Sequence, residues 1–163
     1  MVILISALTL FILGPILTFI HEFAHVLPVL VLTPKSATVI IGPKKRKSLT
    51  FRIKRLTVII NSYHPFYGKC SIPNTVSLKI RLVAFACGPI ASLILTLISF
   101  YSLKHIENYV ISYIISTIFW IEFSAFFRTA LPLEYKFGIY KNGTSDGKQI
   151  INLLREHKKN LSI

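Results

Sequence analysis

Acidic residues are scarce in this chain. Six Asp and Glu stand against nineteen Lys and Arg among 163 residues, and Asp146 is the only aspartate. The formal charge of +13 alone would suit a nucleic-acid binder, but only 15% of the residues are charged and 53% are hydrophobic. Together with a mean hydropathy of +0.62, this composition excludes a disordered chain and predicts a small membrane protein.

Cysteine is equally sparse. The two cysteines, Cys70 and Cys87, are far apart and have no paired spacing. Neither a disulfide framework nor a cysteine-based zinc finger is therefore predicted.

Long apolar runs are present instead, and three of them are long enough to span a bilayer, which requires about 20 helical residues. We predict spans over about 2–32, 82–103 and 109–131, with the short link 104–108 joining the last two as an antiparallel helical hairpin. A cleavable signal peptide has basic residues before its apolar stretch, and none precede this first run, so it is predicted to be a permanent helix.

The basic residues alternate between the two sides of these spans. None precede the first span, eleven lie from Lys35 to Arg81, one lies in the 104–108 link, and seven lie from Arg128 onward. Cationic loops are retained in the cytoplasm, which predicts a multi-pass protein of the cell membrane with its N-terminus outside and its C-terminus cytoplasmic. The charge is then a topology signal and no nucleic-acid partner is expected. The Ile- and Lys-rich composition is compatible with a bacterial plasma membrane.

Between the first two spans the pattern predicts β-structure over about 36–60. Residues 36–41 are mostly β-branched or apolar and 49–54 alternate apolar with polar, which predicts a cytoplasmic hairpin with its turn at 42–48. A further strand is predicted at 56–60, and 61–74 is predicted to be a loop. In the second span, Ala84, Gly88 and Ser92 recur every four residues, which allows close approach of another helix.

The chemistry is concentrated at His21-Glu22-Phe23-Ala24-His25, a His-Glu-x-x-His motif inside the first span. Residues four apart share a helix face, so both imidazoles can bind one zinc ion, while Glu22 flanks that face. Zinc polarises a scissile carbonyl and acidifies its water, and a glutamate can take up the proton. Ionisable residues inside a span are costly and therefore point to function.

A catalytic zinc usually has three protein ligands, so a third is needed. His105, in the external link, is excluded by topology, and His157 is expected to be solvated in the charged tail. The remaining candidates are His64, Cys70, Glu122 and Asp146. Glu122 is the alternative inside the third span, as a ligand, as a partner of a ligating histidine, or as a neutral acid. The pattern around Asp146 predicts a helix N-cap for 148–155, which does not exclude a ligand role.

Three elements together resemble the site-2 protease family of intramembrane zinc metalloproteases. They are His21-Glu22-Phe23-Ala24-His25, Ala86-Cys87-Gly88-Pro89, and Leu131-Pro132 followed by Ser145-Asp146-Gly147. The resemblance implies that His21, His25 and Asp146 bind Zn²⁺ and that Glu22 is the general base. It also implies that the β-region helps to present the substrate. The chain departs from the family pattern at Thr129 and Ser92, where the family often has asparagine.

We therefore expect one α-helical integral membrane domain over 1–163, with a short helix within the Asp-Gly segment 144–157. Its predicted function is that of a zinc metalloendopeptidase cleaving a transmembrane or membrane-proximal bond of a membrane protein or membrane-anchored peptide. The alternative, motivated by Thr129 and Ser92, is a non-catalytic membrane protein of the same fold that binds or chaperones a partner. A small transporter or channel is a third, less favoured class. The sequence names no substrate and gives no oligomeric state.

Overall fold

Four helices and four strands make up the part of the chain that the structure describes. A computed structural model describes residues 2–44 and 48–161. The elements in chain order are α1 (Val2–Leu32), β1 (Ala37–Ile41), β2 (Leu49–Ile53), β3 (Leu56–Ile60), β4 (Gly68–Ser71), α2 (Leu78–Ser102), α3 (Tyr109–Ala130) and α4 (Asp146–Leu161).

Three of the helices are long and apolar enough to cross a membrane: α1 over Ala7–Leu32, α2 and α3. Many of their outward side chains are large and apolar, such as Phe11 at 58% exposed and Trp120 at 62%. An apolar surface of this extent on three helices is typical of helices that face lipid. The structure thus agrees with the predicted three-helix layout, with α2 starting four residues earlier than expected.

The ends of α1 and α3 have identifiable causes. The helix α1 continues through Pro28 and ends before Pro34, where the Arg55 guanidinium donates hydrogen bonds to the carbonyls of Leu30 and Thr33. The side chain of Asn108 accepts hydrogen bonds from the backbone of Val110 and Ile111 and caps the start of α3. These contacts pair backbone groups that a helix end leaves without intrahelical partners.

The four strands form one mixed sheet in the order β2-β3-β1-β4. The strand β1 pairs in parallel with β3, while the β1–β4 and β2–β3 pairs are antiparallel. The core of this region joins Val26 and Val29 of α1 to Val39 and Ile41 of β1, which places the sheet against the C-terminal half of α1.

The predicted hairpin between 36–41 and 49–54 was wrong. The hairpin is instead formed by β2 and β3, and its turn contains Lys54, which has a left-handed φ of 52°. A two-residue turn closes at lower entropic cost than the predicted seven-residue turn. The strands also differ in burial: β1 buries alternate side chains at the centre of the sheet, whereas β2 is exposed throughout. Of the predicted turn, residues 45–47 lie outside the described part of the chain.

Two further expectations need correction. The strand β4 lies within the predicted loop 61–74, and its Gly, Lys and Ser residues are weak strand formers that pair with β1 through tertiary context. The predicted cap residue Asp146 is instead the first residue of α4. The cap is Ser145, whose Oγ accepts a hydrogen bond from the Lys148 N–H at 3.3 Å. The carboxylate of Asp146 is thereby free to point elsewhere.

Candidate metal centre

The two motif histidines lie one turn apart on α1 and face α2. Their Nε2 atoms are 3.3 Å apart and their ring planes are nearly perpendicular, at 80°. His25 is 1% exposed. The four-residue spacing therefore brings both imidazoles together as predicted.

The small residues of α2 contact both rings. Nδ1 of His25 lies 2.8 Å from the Ala84 carbonyl oxygen, and Nδ1 of His21 lies 3.0 Å from the Ser92 hydroxyl. Because a carbonyl only accepts, Nδ1 of His25 carries a proton, and in the neutral ring Nε2 is then the nitrogen that can bind a metal ion. The stripe that the sequence assigned to helix packing thus also orients the histidines.

Gly88 occupies the space directly beside the two rings. A Cβ at this position would lie 2.2 Å from Nε2 of His25 and 2.9 Å from Nε2 of His21. Only glycine leaves room for the histidine pair at this distance from α2.

Asp146 completes the cluster from the start of α4. Its Oδ2 lies 3.4 Å from Nε2 of His21 and 3.3 Å from Nε2 of His25. Burial disfavours the charged form of this carboxylate, but hydrogen bonds with the two histidines hold the pKa of Asp146 below its usual value. A Cβ on Gly147 would lie 2.0 Å from the Ala130 carbonyl oxygen, so this glycine allows α4 to begin against the end of α3.

These three donor atoms suit a metal ion. Their separations of 3.3, 3.3 and 3.4 Å form a nearly equilateral triangle. A tetrahedral zinc with bonds of about 2.0–2.1 Å has ligand atoms about 3.3–3.4 Å apart, which is the same size. His21, His25 and Asp146 can therefore hold a metal ion, and two imidazoles with one carboxylate are a donor set common in catalytic zinc sites.

Glu22 lies beside the triangle and outside it. It is 9% exposed, and the backbone N–H of Cys70 donates a hydrogen bond to its carboxylate. A Cβ on Gly68 would lie 2.8 Å from Oε1 of Glu22, so the strand β4 packs directly against this side chain. The sheet therefore fixes the carboxylate next to the histidine pair.

A cavity of about 610 Å³ opens onto these groups. It extends between the helices, the edge strand β4 and the segment that connects α3 to α4, which we call the α3–α4 connection (residues 131–145). Its lining includes His21, Glu22, Cys70, Glu122, Tyr140 and Asp146. The cavity is large enough for an extended stretch of a few residues.

The other candidate third ligands lie outside the triangle of donor atoms. Nδ1 of His64 accepts a hydrogen bond from the Phe66 N–H at 3.1 Å, within its own loop. Cys70 lines the cavity but does not belong to the cluster that His21, His25 and Asp146 form. Glu122 is 2% exposed and makes its side-chain hydrogen bond with Ser92. The structure thus groups Asp146 with the histidines, as the resemblance implied.

Tyr140 is a residue at the site that the sequence did not single out. Its hydroxyl accepts a hydrogen bond from the Gly68 N–H at 3.0 Å and donates one to the Phe66 carbonyl at 2.8 Å. Its ring stacks on Tyr67 with centroids 5.0 Å apart. It therefore fastens the α3–α4 connection to the edge of the sheet, and no local sequence pattern indicated this contact.

Comparisons of the chain with protein-family models, with curated proteins and with solved structures found no match. The functional argument therefore rests on the motif and on the geometry of the site.

Proposed function

We propose that this protein is an intramembrane zinc metalloendopeptidase. The observation that carries the proposal is the triangle of His21, His25 and Asp146, whose donor atoms converge with the spacing of a tetrahedral metal site. Nδ1 of His25 donates to the Ala84 carbonyl, which leaves Nε2 as the nitrogen that can bind a cation when the ring is neutral. The resemblance of the His-Glu-x-x-His, Gly-Pro and Asp-Gly elements to the site-2 protease family supports zinc as that cation.

Zinc bound to these residues would polarise the scissile carbonyl and make water a better nucleophile at neutral pH. The role of Glu22 is proton transfer: its carboxylate takes a proton from the attacking water and passes it to the departing amine. The Cys70 backbone N–H and the packing of Gly68 hold this carboxylate in place. No acyl-enzyme is expected, because water attacks directly.

The substrate that fits this site is a segment of another membrane protein or of a membrane-anchored peptide. The two histidines of the cluster lie on a helix long enough to span a bilayer, and the cavity reaches the cluster from the side of the sheet and of the α3–α4 connection. The distribution of Lys and Arg supports an orientation with the N-terminus outside and the sheet in the cytoplasm. Water would then reach the site from the cytoplasm.

The test is cleavage of a panel of tagged transmembrane segments by zinc-loaded protein in liposomes, with Glu22→Gln beside the wild type. A lost general base lowers the rate by about 100- to 10,000-fold, while zinc content stays at the wild-type level because the ligands remain. Glu107→Gln, the same change in the exposed link between α2 and α3, serves as the control. Undiminished cleavage by Glu22→Gln contradicts the role of Glu22.

The alternative is a non-catalytic membrane protein of this fold. Its specific support is that neither residue supplies the asparagine amide of the family pattern: the Thr129 hydroxyl donates to the Ala125 carbonyl, and Ser92 contacts His21. Binding of a membrane segment that stays intact at full zinc occupancy would favour this function.

A further inference from the structure

The two motif histidines make different contacts through Nδ1, the ring nitrogen that faces away from the site. His25 contacts a backbone carbonyl, that of Ala84, which can only accept a hydrogen bond. His21 contacts a hydroxyl, that of Ser92, which can both donate and accept. The orientation of His21 therefore depends on what else the Ser92 hydroxyl contacts.

That further contact is Glu122. Ser92 is 1% exposed, and its hydroxyl makes a side-chain hydrogen bond with the carboxyl group of Glu122 on α3. If Nε2 of His21 presents a lone pair to the site, its Nδ1–H donates to Ser92, and the serine must donate its own proton onward. A carboxyl oxygen is the acceptor that accommodates this direction.

Glu122 occupies a position where an acidic side chain is costly. It is 2% exposed within a helix long enough to span a membrane, and its Oε2 has no hydrogen-bond partner within residues 2–44 and 48–161. A buried acidic side chain with an unpaired oxygen is expensive inside a membrane, and such residues usually serve a site. Its carboxylate is attracted by Arg128 and by the protonated form of His21.

We propose that Ser92 and Glu122 are positioning residues for the metal centre. They form a chain from α3 through α2 to His21, which fixes the ring orientation of His21 and keeps its Nε2 free for the metal. This inference rests on the proposed function, since it requires a metal at the triangle. Groups that hydrogen-bond to a ligating histidine commonly affect metal affinity without contacting the metal.

The experiment measures Zn²⁺ affinity by chelator competition, and Co²⁺ absorption spectra, for detergent-purified wild type, Ser92→Ala, Glu122→Leu and the double variant. Each single variant should bind Zn²⁺ about tenfold more weakly and shift the Co²⁺ bands. The double variant should bind no more weakly than Ser92→Ala, because Glu122 acts through Ser92. Glu122→Gln, which keeps an acceptor oxygen, should restore most of the affinity.

Ser99→Ala is the matched control, since Ser99 is also buried in α2 but lies outside the cavity lining. It should leave affinity and spectrum unchanged. Unchanged binding in folded Ser92→Ala, or losses that add in the double variant, would overturn the proposed chain while leaving the metal centre intact. Wild-type protein that binds neither metal would instead overturn the proposed function, and the positioning role with it.

Discussion

The helical side of the candidate site differs from its loop side in how the residues are held. On the helical side, His21 and His25 share one face of α1 and meet Ala84, Gly88 and Ser92 on one face of α2. On the loop side, Asp146 follows the α3–α4 connection, which is fastened by separate hydrogen bonds at several points.

Those fastening points can be named. The Ser145 hydroxyl donates to the Leu131 carbonyl at 2.5 Å and accepts from the Leu133 N–H at 2.9 Å. Glu134 forms an isolated β-bridge with Thr144 and an ion pair with Lys148. Tyr140 adds its bonds to the edge of the sheet. Each bond can be removed singly, whereas the helical side depends on close packing.

This difference between the helical side and the loop side predicts how each should respond to substitutions. A bulkier residue in the helix contact displaces both histidines at once, because packed helices have no room to yield. Loss of a single bond in the connection leaves the others in place and should produce only local opening.

Gly88→Ala should have the largest effect. The added Cβ would overlap both Nε2 atoms, so either the rings rotate out of the triangle or α2 moves away. Since displacing ligands costs more than losing their supporting partners, we expect Zn²⁺ affinity to fall by more than about 100-fold. Chelator competition on purified protein measures it.

Cys87→Ala is the control for this variant, because it changes the neighbouring position of α2, whose side chain is not part of the cavity lining. It should bind Zn²⁺ like the wild type. A Gly88→Ala protein with wild-type affinity would mean that the α1–α2 contact does not constrain the site.

Tyr140→Phe should have a smaller and local effect. It keeps the ring stacking on Tyr67 but removes the hydroxyl that bonds Phe66 and Gly68. A hydrogen bond of this kind contributes about 1 kcal/mol, so hydrogen exchange of the Gly68 amide and of the α3–α4 connection should be about fivefold faster. Zn²⁺ affinity should change little.

Tyr135→Phe is the control that distinguishes loss of the Tyr140 hydrogen bonds from a general loosening of the α3–α4 connection. The Tyr135 hydroxyl donates to the Arg128 carbonyl, so its loss removes a bond of the same segment without touching β4. Exchange of the Gly68 amide should stay at the wild-type rate. Equal acceleration in both variants would contradict the assignment of the contact to Tyr140.

The difference between the helical side and the loop side also explains how much of the site the sequence could predict. Hydropathy located the three long helices, and the four-residue spacing of His21 and His25 predicted their shared face. Both signals are local, and the helix geometry that converts them into positions in space is regular.

The loop side carried weaker signals. Asp146 was one of several candidates for the third ligand until the resemblance to a family was considered. Its position beside the histidines depends on tertiary contacts, such as that of Ser145 with Leu131, which the sequence does not reveal. The cap assignment failed for the same reason: Ser145 and Asp146 are both good cap residues, and tertiary contacts decide between them.

The sheet shows the same limit. The strands β1, β2 and β3 were located from their patterns, but their pairing was wrong, since the turn at Lys54 and the central position of β1 depend on packing against α1. The strand β4 had no apolar alternation to reveal it, although its edge contacts Glu22 and Tyr140.

The most direct test of the central claim is the zinc content of detergent-purified protein after loosely held metal has been removed, measured by elemental analysis. Asp146→Ala is compared with the wild type and with Glu156→Ala, which alters an exposed acidic residue of the same helix. We predict equimolar zinc in the wild type and in Glu156→Ala, and little or none in Asp146→Ala. Wild-type zinc content in folded Asp146→Ala, or no zinc in the folded wild type, would contradict the proposed metal centre.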